Sequence, residues 1–423
     1  MKNLFILLVV VISLAACKKD KTTNAIQRPP LDRNYSFSDG IVPENVLRSY
    51  LSRAITQAEV LNSDGFYNDG LYPDKADDFR MLKNVGAKFI GRAFYSWGME
   101  SRFQNPTFFG NAKAQIDQAH MIDADLIFQG AIFEIITPDV NKVVVPEWVF
   151  QEYGLPVEKR NFRYDDMINL QGIGVGAWTT GSVPDISRKE TQMYFYHLAR
   201  RFMETGIEAI HFGQVELMAM ADAGNNFAGW KDLLSRIRNT AKTTARRGTV
   251  LCDGHLPGGG LVVDGKLIFD FVSFPLRVKE ISGEPRKGEL QKFFLDAIYG
   301  KTKGGMTPSG WICEHSPYLV EFDNYGISDH PGSGSISDIW VWGYDEISWF
   351  SLQEESYRNE FLNYVSQWIS KVDQNGFLQM PGSRVVVPGN GSNYRYRCNI
   401  KSATCLSGMS QEEIIKAIWA TQN

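Results

Sequence analysis

The sequence predicts an α/β fold: a (β/α)8 TIM barrel built as a single domain, with a long insertion after the third strand. Three observations carry this. An amphipathic helix, a glycine and a short apolar run recur as one unit along the chain, and alternation of helices with buried strands implies a parallel sheet. Eight such units can be counted, the number a closed barrel needs. A doubly wound open sheet would be expected to carry a glycine-rich phosphate loop after its first strand; here Gly254 and Gly258-Gly-Gly260 follow the fifth strand and open no helix.

The strands are taken in order. Residues 50–55 supply a first strand near Ala54, although that segment suits a helix equally well. A helix over 77–84, ended by Gly86, leads to strand 2 near Phe89. A helix over 112–121, lacking the glycine, leads to strand 3 near Ile127. Helix 190–205 and Gly206 precede strand 4 near Ile210; helix 230–247 and Gly248 precede strand 5 near Val250. Strand 6 falls near Val272. A helix over 290–299 leads to strand 7 near Leu319, and helix 361–375 with Gly376 leads to strand 8 near Leu378. Glycine at these points ends a helix in the left-handed conformation at no steric cost. The helices carry the matching period: Trp230, Leu233, Leu234, Ile237 and Ala241 share one face, as do Phe361, Val365, Trp368, Ile369 and Val372. The insertion runs over about 138–185, and Pro184-Asp-Ile-Ser187 marks the helix restart. Long loops in compact domains are usually lids or binding loops.

The N-terminal residues carry an apolar run, Leu4 to Val11, followed by Leu14-Ala-Ala-Cys17. That run is short for a bilayer-spanning helix and suits a signal-peptide core. Leu-Ala-Ala-Cys resembles a bacterial lipobox, which implies cleavage after residue 16, lipidation of Cys17 and a place in the cell envelope, anchored to the outer membrane. Residues 17–38 are polar and aperiodic and read as a flexible tether, leaving 39–423 for the barrel and a C-terminal extension. Cys252 and Cys313 sit in strand-like contexts as core thiols; Cys398 and Cys405 are close enough in sequence for a local disulfide. Neither cysteines nor histidines show zinc spacing. A formal charge of −4 over 423 residues, with both signs interspersed, leaves no basic stripe for nucleic acid.

Two carboxylates close apolar strands: Glu216 after Ile210-His-Phe-Gly-Gln-Val, and Glu321 after Tyr318-Leu-Val. A carboxylate at the end of a barrel strand meets the mouth, where burial is costly unless the group is paired or used. Glycoside hydrolysis needs two such groups, one to protonate the leaving oxygen and one to attack or to activate water. On this placement the chain, over about 52–387, resembles the superfamily of (β/α)8 glycoside hydrolases with paired glutamates on strands 4 and 7. The resemblance implies Glu216 as acid/base and Glu321 as nucleophile in a retaining enzyme with a carbohydrate substrate and no cofactor or metal. Two departures stand out. Val215 occupies the position where the family has asparagine, with Gln214 before it. Strand 6 offers only Ser273, Pro275 and Arg277 where a histidine or tyrosine is common. Arg92 fits the arginine found beside the nucleophile.

Further substrate-binding candidates are Trp97, Glu134, Trp178, Gln214, Asp253, His255, Asp323, Tyr325 and Trp342. Flat apolar rings that also face water suit the mixed faces of a sugar, although tryptophan in a loop is more often ordinary packing. Two other functions compete. One is a catalytically inactive barrel that holds carbohydrate through Trp97, Trp178 and Trp342. The other is a metal-dependent hydrolase using Asp253, His255 and His315, disfavoured because strand 1 has no histidine pair.

Overall fold

A computed structural model describes residues 31–37, 39–62, 75–334 and 339–422. Cys17, the signal peptide and most of the tether lie outside these residues. Eight parallel strands, β1 (Ala54–Gln57), β2 (Phe89–Phe94), β3 (Ile127–Ala131), β4 (Ala209–Gln214), β5 (Leu251–His255), β6 (Val272–Pro275), β7 (Tyr318–Glu321) and β8 (Gly376–Val386), pair in chain order. The ring closes where Ile55 of β1 pairs with Met380 of β8. The predicted (β/α)8 barrel is the fold, and all eight strands lie where the sequence puts them.

Its interior is stacked in layers of opposite character. Ala54, Phe89, Ile127, Ala209, Leu251, Phe271, Leu319 and Phe377, one from each strand position, form an apolar ring at the N-terminal end. Helix α1 (Glu44–Leu51) closes that ring from below with Val46, Leu47, Tyr50 and Leu51, each aliphatic side chain contributing about 1.5–3 kcal/mol by its burial. Because strand side chains alternate between faces, the next inward residue lies two positions on. Those residues are Thr56, Gly91, Gln129, His211, Asp253, Ser273, Glu321 and Gln379. Seven of the eight are polar, whereas the layers of such barrels are usually filled by branched apolar residues. Gly91 is small for a local reason: a Cβ there would lie 2.2 Å from the Gln379 side-chain nitrogen, which instead donates to Thr56 Oγ1 at 2.6 Å.

The helices pack outside. Those used below are α2 (Ala76–Val85), α3 (Pro106–Ile122), α4 (Lys189–Thr205), α5 (Ala228–Thr244), α6 (Glu346–Ser351), α7 (Glu355–Val372) and α8 (Glu412–Thr421). Gly86 and Gly206 cap α2 and α4 at φ 76° and 101°, as expected. Gly376 does not cap α7; it opens β8, where a Cβ would strike the Tyr318 hydroxyl at 2.6 Å. The segment 290–299 is not helical. Phe293 and Leu295 take φ of 62° and 51°, and Asp296 is drawn to Arg277 at 2.6 Å, so tertiary contacts override the apolar periodicity. Short hairpins fill the connections around β6 instead.

Strand β8 runs on to Val386, eight residues beyond Leu378, and pairs antiparallel with β9 (Tyr394–Arg397). The chain then returns through α8, whose Glu412 pairs with Arg80 of α2 at 2.7 Å. Cys398 and Cys405 are buried and unpaired, Cys398 lying 3.5 Å from the Met81 sulfur. Cys252 is buried, while Cys313 is only half-buried. Among the described residues no helix is long and apolar enough to cross a membrane.

Candidate active site

At the C-terminal mouth of the barrel lies a cleft of about 400 Å³, lined by residues from β2, β3, β4, β5, β7 and β8 and the loops that follow them. Its floor is Glu321, 1% exposed, at the end of β7. Both oxygens are engaged. Oε2 accepts from Arg92 Nε at 3.3 Å and Arg384 Nη1 at 2.9 Å; Oε1 accepts from Arg92 Nη2 and lies 3.1 Å from His255 Nε2. Burial alone would raise the Glu321 pKa, but the two guanidinium charges outweigh it and hold the carboxyl well below its usual range.

Each partner is placed by a local feature. Arg92 sits in β2 with φ 57°, at a register shift relative to β3. A left-handed residue in a strand marks a bulge, and such geometry costs roughly 1–3 kcal/mol unless its surroundings hold it. Here the Arg92 N–H donates to Gln129 Oε1 at 3.0 Å and its carbonyl accepts from the Glu59 N–H at 2.9 Å. Arg384 stands on the part of β8 that continues past the mouth. Its guanidinium spans Glu321, Asp323 at 2.8 Å and Asn324 at 2.8 Å.

The walls carry two further acidic groups. Glu134, after β3, accepts from the Gln214 N–H at 2.9 Å, and its carboxylate lies over Gly213, near the end of β4. A Cβ on residue 213 would come 1.9 Å from Glu134 Oε2, so the place at the tip of β4 is open to Glu134 only because residue 213 is glycine. Across the ring, Asp345 caps α6 by accepting from the Ser348 N–H at 2.8 Å and also accepts from the Gly326 N–H at 2.8 Å. Burial pushes its carboxyl up to about 7.

Above these groups stand aromatic rings. Trp97 meets Trp178 edge to face at 5.6 Å and Phe133 at 5.1 Å, and Tyr95 meets Phe133 at 5.1 Å. The insertion delivers Trp178, whose indole N–H donates to the Glu134 carbonyl at 2.8 Å.

Of the candidates taken from sequence, Arg92, Trp97, Glu134, Trp178, Gln214, His255, Asp323 and Tyr325 line this cleft, and Glu321 forms its floor. Asp253 shares the polar layer of Glu321 but does not line the cleft; it is bonded to Gln129, His211 and Ser273. Glu216 is elsewhere. It stands on the single turn Val215–Met218, where it accepts from the Gly258 N–H at 2.9 Å, and it is not among the residues lining the cleft. The chain turns away directly after Gln214, which carries residue 216 off the strand axis. Trp342 is also apart, donating to the Lys287 carbonyl at 2.9 Å and packing on the core. His315 precedes β7, at the opposite end of the barrel from the mouth, and bonds the Thr302 carbonyl at 2.6 Å. It does not converge with Asp253 and His255; among the described residues no three His, Cys, Asp or Glu side chains are grouped to hold a metal ion. Five cleft residues named here, Tyr95, Phe133, Asn324, Asp345 and Arg384, were not singled out from sequence.

No family model matches the chain, and no curated protein matches it. Among solved structures, the native form of a debranching enzyme from Nostoc punctiforme is similar, with 12% identity and a TM-score of 0.31. The match covers 53% of this chain and 52% of that one, so the chain spans about half the length of that enzyme. A likeness this slight carries no statement about activity.

Proposed function

We propose that the chain is a glycoside hydrolase that cleaves O-glycosidic bonds in the barrel mouth. The observation that supports this reading is the juxtaposition of a carboxylate that two arginines hold in its ionised form, Glu321, with Glu134 at the tip of β4, beneath water-facing rings of Trp97, Trp178 and Phe133. Aromatic faces suit the apolar face of a sugar, and paired carboxyl groups suit acid-assisted cleavage. In this reading Glu321 is the nucleophile. The proton donor is Glu134, which fills in space the position that the sequence assigns to Glu216. Arg92 and His255 fix the orientation of Glu321, and Gln214 fixes Glu134. On Leu14-Ala-Ala-Cys17 we further propose a lipid anchor at the cell envelope; labelling with a radioactive fatty acid should mark the wild type and not Cys17→Ser.

The test is turnover of a panel of aryl glycosides and polysaccharides. Glu134→Gln and Glu321→Gln should each lose activity by about 10³-fold or more, with Glu216→Gln close to wild type. Loss in Glu216→Gln with retention in Glu134→Gln would return the donor role to Glu216.

One observation favours a second reading, a barrel that binds carbohydrate without cleaving it. Each Glu321 oxygen already faces two donors, so attack requires one of them to withdraw. Heat of glycan binding with no released product would support that reading over hydrolysis.

A further inference from the structure

The polar layer beneath the cleft contains ionisable groups that the proposed chemistry does not use. We propose that Asp253 and His211 form a buried proton-holding pair, and that its charge acts on Glu321 through Arg92, whose guanidinium serves both carboxylates. This assigns Asp253 and His211 as positioning residues for the floor of the site. The inference rests on the glycosidase reading only for its consequence in activity; the proton-holding pair itself stands on the geometry.

The line of contacts is continuous. Asp253 Oδ2 lies 2.8 Å from His211 Nδ1. The rings of His211 and His255 meet edge to face with centroids 5.0 Å apart, and His255 Nε2 lies 3.1 Å from Glu321 Oε1. Two neutral donors hold Asp253 in place: Gln129 Nε2 at 2.7 Å and Ser273 Oγ at 2.9 Å. Every group facing the pair can be named by strand. Arg92 comes from β2, Gln129 from β3, His255 from β5, Ser273 from β6, Glu321 from β7 and Arg384 from β8. His211, Asp253 and Glu321 are each 1% exposed, so water screens none of these charges effectively.

The chemistry of the pair follows from burial. His211 is kept neutral, its pKa well below the usual range, first by burial and then by the Arg92 and His255 charges. Asp253 is pushed up to about 7, again chiefly by burial and against the pull of Arg92. With Asp253 ionised, His211 Nδ1–H donates to it. When the pair takes up a proton, that hydrogen bond must reverse or become charged. The buried Nε2 of His211 has no partner in the structure, so the ring is free to change tautomer without breaking a second bond. A full negative charge on Asp253 draws on the same Arg92 that clamps Glu321, and repels Glu321 directly. Filling the pair with a proton therefore leaves Arg92 more fully committed to Glu321.

The test is a titration of histidine-labelled (¹⁵N) full-length protein by NMR, which needs no substrate. The ring nitrogens of His211 should shift between pH 6 and 8 with a midpoint near 7, reporting the Asp253 carboxyl beside them. Asp253→Asn should abolish that step. Should that variant fail to fold, Ser273→Ala serves instead: it removes a donor that favours the ionised carboxylate, so the midpoint should rise by several tenths of a pH unit. No step at His211 in the wild type, or an unchanged step in a folded Asp253→Asn, overturns the proposal. If glycosidase activity is also found, its pH profile should lose the same midpoint in Asp253→Asn. Absent activity with an intact NMR step would count against the hydrolase reading alone.

Discussion

Replacing Glu321 with glutamine removes the carboxylate that holds two arginines inside the barrel. The side chains of Arg92, Glu321 and Arg384 are 4%, 1% and 8% exposed. Removing one member of such a buried group leaves uncompensated charge, which typically costs about 3–5 kcal/mol. Arg384 keeps Asp323 as a second partner, so the lower half of that range applies, while Arg92 keeps only the His255 ring and the Phe133 face. An unfolding entropy of roughly 2.1 cal/mol/K per residue makes a chain of this length lose about 1 °C in Tm for each kcal/mol. The expected drop is therefore about 3–4 °C at pH 7, with a matching fall in the urea midpoint. The pH dependence has a definite sign. Glu321 has a folded pKa below the ordinary 4.5, so its contribution is present above that value and disappears as the pH falls toward the folded one. The gap between wild type and variant should close on acidification below about pH 4. Glu216→Gln is the control: that group is half-buried and accepts from one backbone N–H, worth about 1 kcal/mol or less. Equal losses in the two variants, or a gap that widens in acid, would refute the account of the floor.

Three further outcomes follow from the same geometry. Gly213→Ala should displace Glu134, because the added methyl would meet its carboxylate at 1.9 Å and residue 213 has φ 46°; a stability loss of about 1–3 kcal/mol together with loss of turnover would show it. Asp345 has a folded pKa raised to about 7, so its contribution is full in acid and declines as pH rises through 7. Asp345→Asn keeps the helix cap and should flatten the decline in Tm between pH 5 and 8. Trp178→Ala should weaken glycan binding by about 5–30-fold, or 1–2 kcal/mol, measured by calorimetry.

The strands were legible because each is a short buried run set off by helix periodicity, and a parallel strand buried on both faces tolerates little else. The layering is legible too once the inward positions are set side by side: Ala54-x-Thr56, Ile127-x-Gln129, Ala209-x-His211, Leu251-x-Asp253 and Leu319-x-Glu321 all step from apolar to polar in two residues. Reading each strand alone hides this ring. Glu216 falls outside the cleft because β4 ends at Gln214 and begins a turn, so counting along the chain overshoots the strand. Glu134 reaches the tip of β4 from the loop after β3, a neighbourhood visible only in three dimensions. Arg384 escapes a reading that centres strand 8 on Leu378; the β-branched run Val385-Val386-Val387 is the available signal that the strand continues. Asp345 reads in sequence as an ordinary helix cap, and only its burial at the cleft gives it a second aspect. The helix expected over 290–299 had the right composition but no way to express two left-handed residues.

The closure of the barrel by α1 has a consequence for orientation. Leu31, Tyr35 and Phe37 lie against the same apolar ring as α1, so the chain enters the domain behind the barrel mouth, at the far end of its axis. With the proposed lipid at Cys17, the residues up to Leu31 give a leash of at most about 50 Å. The leash would then join the domain at its closed end, so that the lipid and the open mouth are served from opposite ends of the barrel axis.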